Sequence, residues 1–102
     1  MNVAVALIFE NPHVTQEQYD TVRARLGVDA DHPPEGALLH VGGANRAGGW
    51  GVFEIWESED AAVAFIEEQL TPVFREHGRP PPVYRVWELH RVLHWPPPAA
   101  VG

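Results

Sequence analysis

The sequence predicts an α+β sandwich: a four-stranded antiparallel sheet with two helices on one face, in the order β-α-β-β-α-β. Three observations predict it. Residues 3 to 9, VAVALIF, are a continuous apolar run rich in β-branched side chains, which reads as a buried central strand. Two later runs, ALLHVGGA and WGVFEIWE, flank the glycine-rich NRAGG and read as a hairpin. Two stretches with apolar residues at helical spacing lie between strands, which gives a split βαβ arrangement.

Asn11-Pro12 ends the first strand. Thr15 with Gln18 three residues later forms a capping-box pattern, and Tyr19, Val22 and Leu26 then recur at i, i+3, i+7 on one helix face. Gly27 is placed to stop this helix, and residues 28 to 36, with Pro33-Pro34 and three acids, read as a loop. After the hairpin, Ser58 is a natural N-cap, with Glu59 and Asp60 in the first turn where the helix dipole favours acids. Ala62, Phe65, Ile66, Leu70, Val73 and Phe74 repeat at helical spacing around Pro72, which predicts a kink or a restart with Thr71 as a new cap. Gly78 ends the helix, and Arg79 and three prolines lead stiffly into a fourth strand over residues 83 to 93. Residues 1 to 95 are expected to form one domain, with a proline-rich tail at 96 to 102 docked through Trp95.

Composition excludes several functions. The 102 residues include no cysteine, which removes thiol catalysis and thiolate metal sites. All seven cations are arginine, so a Schiff-base lysine and a P-loop lysine are absent. A net charge of −7 argues against nucleic acid and anionic membranes as partners. The apolar run at residues 3 to 9 is too short to span a bilayer or to serve as a signal peptide, so a cytoplasmic location is expected.

Strand alternation sorts the candidate functional residues. Leu39 and Val41 share one face of the second strand, and Phe53 and Ile55 one face of the third. These purely apolar sets are expected to meet the helices. The opposite face carries Leu38, His40 and Gly42, then Trp50, Val52, Glu54 and Trp56, too polar a mixture for an ordinary core. If Ala44 pairs with Trp50 across the turn, His40 stands opposite Glu54, with Cβ atoms about 5 Å apart. A carboxylate there orients the imidazole and raises its basicity, so His40 and Glu54 are the candidate catalytic pair. Alternatively, the two satisfy each other as a buried pair. Trp50, Trp56, Leu38 and Val52 are the candidate substrate-binding residues. Tyr19 reads as a core residue with a solvent-facing hydroxyl. His90 and His94, four residues apart on a strand, lie roughly 13 Å from each other and cannot share a metal. The fourth strand is apolar on neither face, which suits contact with a second chain.

Gly36 and His40, Trp50, the run Glu54-Ile55-Trp56-Glu57-Ser58, Phe65, and Leu70 with Pro72, taken in order, resemble the antibiotic biosynthesis monooxygenase-like proteins. Tyr19, Asp20 and Val22 in the first helix fit the same pattern, and the resemblance spans roughly residues 3 to 93. It implies a ferredoxin-like dimeric α/β barrel: a homodimer whose non-helix sheet faces enclose a cavity in each protomer. It also implies a cofactor-independent monooxygenase acting on an aromatic or polyketide-like molecule, with no metal and no cofactor. The haem-degrading branch matches poorly, since Phe65 stands where its helix tryptophan falls and Arg75 where its haem ligand falls. The cavity asparagine of the classical monooxygenases has no counterpart either, because Asn45 lies in the turn. Two other functions remain open: a cyclase or isomerase using the same cavity without redox chemistry, and a ligand-binding or structural dimer without turnover.

Overall fold

The computed structural model describes residues 3–93 and 95. Its order is β1 (Val5–Asn11), α1 (Gln16–Leu26), β2 (Ala37–Ala44), β3 (Trp50–Trp56), α2 (Glu59–Phe65), a π-helical turn (Ile66–Leu70), α3 (Thr71–Glu76) and β4 (Arg85–Glu88). The four strands form one antiparallel sheet in the order β2-β3-β1-β4, the ferredoxin-like arrangement.

Local chemistry sets most element ends. The Thr15 side chain accepts from the Gln18 backbone N–H at 3.1 Å while Gln18 returns a bond to the Thr15 N–H at 3.0 Å, so the capping box closes. Gly27 ends α1 at φ 72°, a left-handed conformation that only glycine adopts without strain. The Ser58 hydroxyl caps α2 by accepting from the Ala61 N–H. At Pro72 the backbone stays helical: Thr71 is already in the right-handed region at φ −59° and no side chain caps α3. The expected restart with a threonine cap is therefore replaced by a π turn. Pro72 has no N–H to give and its ring would strike the carbonyl four residues back, and the wider turn relieves both problems.

The C-terminal strand is shorter than expected. It pairs with β1 only from Val5↔Glu88 to Ile8↔Arg85, and one further bond runs from the Leu89 N–H to the Ala4 carbonyl. Beyond that point β1 offers no further partner, and three prolines precede the strand without donors. Trp95 is 83 % exposed and does not dock. His94 and the proline-rich tail lie outside the described residues.

The two sheet faces are the reverse of the expected assignment. Val5, Leu7 and Phe9 of β1 pack with Trp56, Phe65 and Ile66, so the face bearing Trp50, Val52, Glu54 and Trp56 is the one beneath the helices. His40 lies on this inner face, opposite Glu54, in the register that pairs Ala44 with Trp50. A bulge between Ala37 and Leu39 leaves Leu38 out of the ladder and 59 % exposed, which removes it from the candidate site. The purely apolar residues form the outer face instead. One row across the sheet is Leu39, Ile55, Ala6, Trp87, and the next is Val41, Phe53, Ile8, Arg85. Pure apolarity misled because the inner face satisfies its polar groups internally, so a mixed face can sit beneath helices.

Leu7 is fully buried at the centre of β1 and lies outside the pocket described below. Leu7→Ala is expected to cost about 2–5 kcal/mol, read as a lower denaturation midpoint with an unchanged slope.

Candidate active site

A pocket lies between the inner sheet face and the helices. Its walls are apolar: Phe9, Val22, Val52, Trp56, Phe65 and Phe74 among others. Its cavity is about 100 Å³, less than the roughly 300–1,000 Å³ of ordinary ligand pockets. The enclosed part therefore accommodates one edge of a ring system, and His40, with 33 % of its side chain exposed, marks a side open to solvent.

Four side chains form a hydrogen-bonded chain at this pocket. Glu54 is the most enclosed of the ionisable pair, with 12 % of its side chain exposed, and both its oxygens are engaged. Oε1 accepts from the Trp56 indole N–H at 3.0 Å, and Oε2 faces His40 Nδ1 at 2.7 Å. A carboxylate accepts, so Nδ1 carries the proton and a neutral His40 presents Nε2 as an acceptor. The Tyr19 hydroxyl, from α1, donates to that nitrogen, and the two rings stack with centroids 5.9 Å apart. The order is therefore Tyr19 to His40 to Glu54, with Trp56 closing the far end.

The sequence reads Tyr19 as core with a solvent-facing hydroxyl, whereas the structure places that hydroxyl on His40 in this chain. The signal was present: Tyr19 shares its helix face with Val22 and Leu26, and that face meets the sheet face carrying His40. Correct assignment of the sheet faces would have brought the two together. Gly42 makes the approach possible. A Cβ there would come within 2.6 Å of the Tyr19 hydroxyl oxygen and 3.2 Å of Trp50 Nε1.

Two cations stand at the pocket. The Arg23 guanidinium carbon lies 5.7 Å from the Tyr19 ring centroid, and Arg79 lies over Phe74 at 4.1 Å. Trp50 packs on Tyr19 with centroids 5.1 Å apart. Arg23 Nε and Trp50 Nε1 are buried donors that find no acceptor among the described residues, and both residues flank Tyr19. Burial raises the Tyr19 pKa above its ordinary value and Glu54 adds to the rise, while Arg23 opposes it. Tyr19 is therefore a protonated donor at neutral pH. Among the described residues no group of three or more metal-ligating side chains occurs.

Of the expected site residues, His40, Glu54, Trp50, Trp56 and Val52 all line this one pocket, and Leu38 does not. No family model matches the chain, and no curated protein matches it. Among solved structures, the chain is similar to SnoaB, a cofactor-independent oxygenase from Streptomyces nogalater, crystallised as a single-site mutant. The likeness covers 89 % of this chain and 95 % of that one, with a TM-score of 0.57 and 15 % identity. At that identity it establishes the ferredoxin-like fold. No helix among the described residues is long and apolar enough to cross a membrane.

Gly42→Ala is expected to leave the fold intact, because the atoms it meets belong to the Tyr19 and Trp50 side chains, which can shift, and not to backbone. The loss expected is the Tyr19–His40 bond, seen as a displaced Tyr19 ring in a crystal structure of the variant.

Proposed function

We propose that this protein is a cofactor-independent monooxygenase acting on an aromatic or polyketide-like small molecule. The observation that supports this most is the Tyr19–His40–Glu54 chain at an apolar pocket. Oxygenation without a cofactor needs a base, a carbon acid or phenol whose anion is electron-rich, and a dry aromatic enclosure. The His40–Glu54 pair supplies basicity, because Glu54 stabilises the imidazolium that forms. Trp50, Trp56 and Val52 supply walls. An anthrone illustrates the balance: its methylene loses a proton to the base, the anion is oxidised by dioxygen to a peroxide that takes that proton back as a hydroperoxide, and loss of water leaves the quinone. The substrate supplies the electrons and dioxygen is the oxidant, so no metal or cofactor enters the scheme. SnoaB, similar in fold, is named as an oxygenase of this cofactor-independent kind.

The outer sheet face favours a homodimer. Seven of the eight residues in its two central rows are apolar, and Leu39, Val41 and Trp87 are each more than two-fifths exposed. A patch of this kind is unusual on a monomer. A flat apolar face fits a second copy of itself, as a two-fold interface requires. Burial of that face also accounts for the unbroken apolar run of β1, which otherwise needs only alternation. The domain is taken as residues 1 to 95, and the location as cytoplasmic.

With anthrone as probe, oxygen uptake above the spontaneous rate is expected. His40→Ala should lower it roughly a hundred-fold or more while shifting the melting temperature little. An unchanged rate with a large fall in melting temperature would make His40 structural and remove the catalytic reading. Sedimentation is expected to give twice the chain mass, and Val41→Arg on the outer face should return the monomer mass.

A further inference from the structure

We infer that the Tyr19 hydroxyl oxygen is the atom that takes the substrate's proton, and that His40 and Glu54 act through it as positioning and proton-accepting groups. The inference deepens the reading above and rests on the pocket being the substrate site.

Three observations carry it. First, both nitrogens of His40 are occupied: Nδ1 by Glu54 and Nε2 by the Tyr19 hydroxyl. A substrate meets no free basic nitrogen there. Second, the Tyr19 hydroxyl donates to His40 and has the Arg23 guanidinium beside it, and a phenolic oxygen has two lone pairs, so one remains for a further partner. Tyr19 itself lines the pocket. Third, burial disfavours a standing negative charge on Tyr19, which suits a hydroxyl that gives up its own proton as it takes another, and nearby donors offset part of that burial. Arg23 and Trp50 flank the ring, each with a buried N–H that finds no acceptor among the described residues. Two of the chain's seven cations, Arg23 and Arg79, line the pocket, against one of its fourteen acids, Glu54.

The proton step balances without net change at Tyr19. The substrate C–H or O–H bond breaks and its proton forms a new O–H bond on Tyr19. The original Tyr19 proton passes to His40 Nε2, giving an imidazolium paired with the Glu54 carboxylate. The substrate is left as an anion beside the Arg23 guanidinium, which offsets part of its charge. Gly42 serves this arrangement by leaving the hydroxyl room over the strand.

The experiment measures proton removal apart from oxygenation. Anthrone is incubated with the protein in deuterated buffer without oxygen, and loss of the methylene proton signal is followed by NMR. Wild-type protein is expected to exchange the methylene faster than buffer, and Tyr19→Phe should lower that rate roughly a hundred-fold with its melting temperature preserved. In parallel, the imidazole nitrogen spectrum of wild-type protein should show His40 protonated at Nδ1, and Tyr19→Phe should shift its Nε2 resonance. Exchange by Tyr19→Phe at the wild-type rate would overturn the inference and leave the oxygenase reading standing. Exchange by wild type without oxygen uptake in air would overturn the oxygenase reading and leave Tyr19 as the base. Wild-type protein that neither exchanges anthrone nor takes up oxygen would overturn both.

Discussion

The β2–β3 register is the constraint on which the site depends. Side chains alternate across a sheet with a period of two, so a slip of one residue would carry His40 to the outer face and away from Glu54. The turn fixes this register. Asn45 donates its N–H to the Gly49 carbonyl at 3.0 Å, accepts from the Gly48 N–H at 2.9 Å, and bonds the Ala47 N–H through its side chain. Gly48 and Gly49 hold φ of 111° and 82°, which other residues reach only with strain. The bulge at Leu38 then absorbs a change of register farther down the hairpin, so Ala37 still meets Trp56 without disturbing His40. Asn45, which occupies no part of the pocket, serves the site through the turn.

Given the register, the polar chain follows from the cost of burial. A carboxylate as enclosed as Glu54 must be fully hydrogen-bonded, since an unpaired buried charge costs several kcal/mol in practice. Trp56 and His40 take one oxygen each. His40 is thereby held in the tautomer that presents Nε2 to α1. The capping box fixes where α1 starts, and Tyr19 follows four residues after Thr15 in its first turn. The Arg25–Glu76 pair, with two bonds of 3.0 and 2.8 Å, ties α1 to α3 outside the pocket lining. Both partners are about half exposed, so this link orients the helices more than it stabilises them.

The fold was legible because its signals are local. The β2 and β3 limits, the Thr15 cap, the Gly27 stop and the pairing of His40 with Glu54 all come from spacing and turn chemistry read within a few residues. The site was legible in part for the same reason: His40, Glu54, Trp50, Trp56 and Val52 belong to one hairpin. The orientation of the sheet was not, because alternation says which residues share a face and not which face meets the helices. Apolarity is a poor guide here: Leu39, Val41, Phe53 and Ile55 form a cleaner apolar face than the one the helices cover. Tyr19 was lost with that choice, since its role appears only when α1 is laid over His40. The bulge at Leu38 was equally invisible, as nothing in ALLHVGGA distinguishes a skipped residue from a paired one.

The sheet has two apolar faces, and the helices among the described residues cover one of them. Large aromatic groups fill the inner face: Trp56 of β3 against Phe65 of α2 at 5.5 Å, and Phe9 of β1 against Tyr84, just before β4, at 5.5 Å. At the hairpin end Trp50 packs on Tyr19, and Gly42 contributes no side chain, so Tyr19 reaches over the strand to His40. On the outer face, the acid among the described strand residues is Glu10 at its margin, 3.7 Å from Arg85. The chemistry and the unpartnered surface therefore lie on opposite sides of one sheet, joined through strands two residues deep in register. A layer packed on Val41 and Phe53 would press directly behind His40 and Glu54, and would fix the strand pair that carries them.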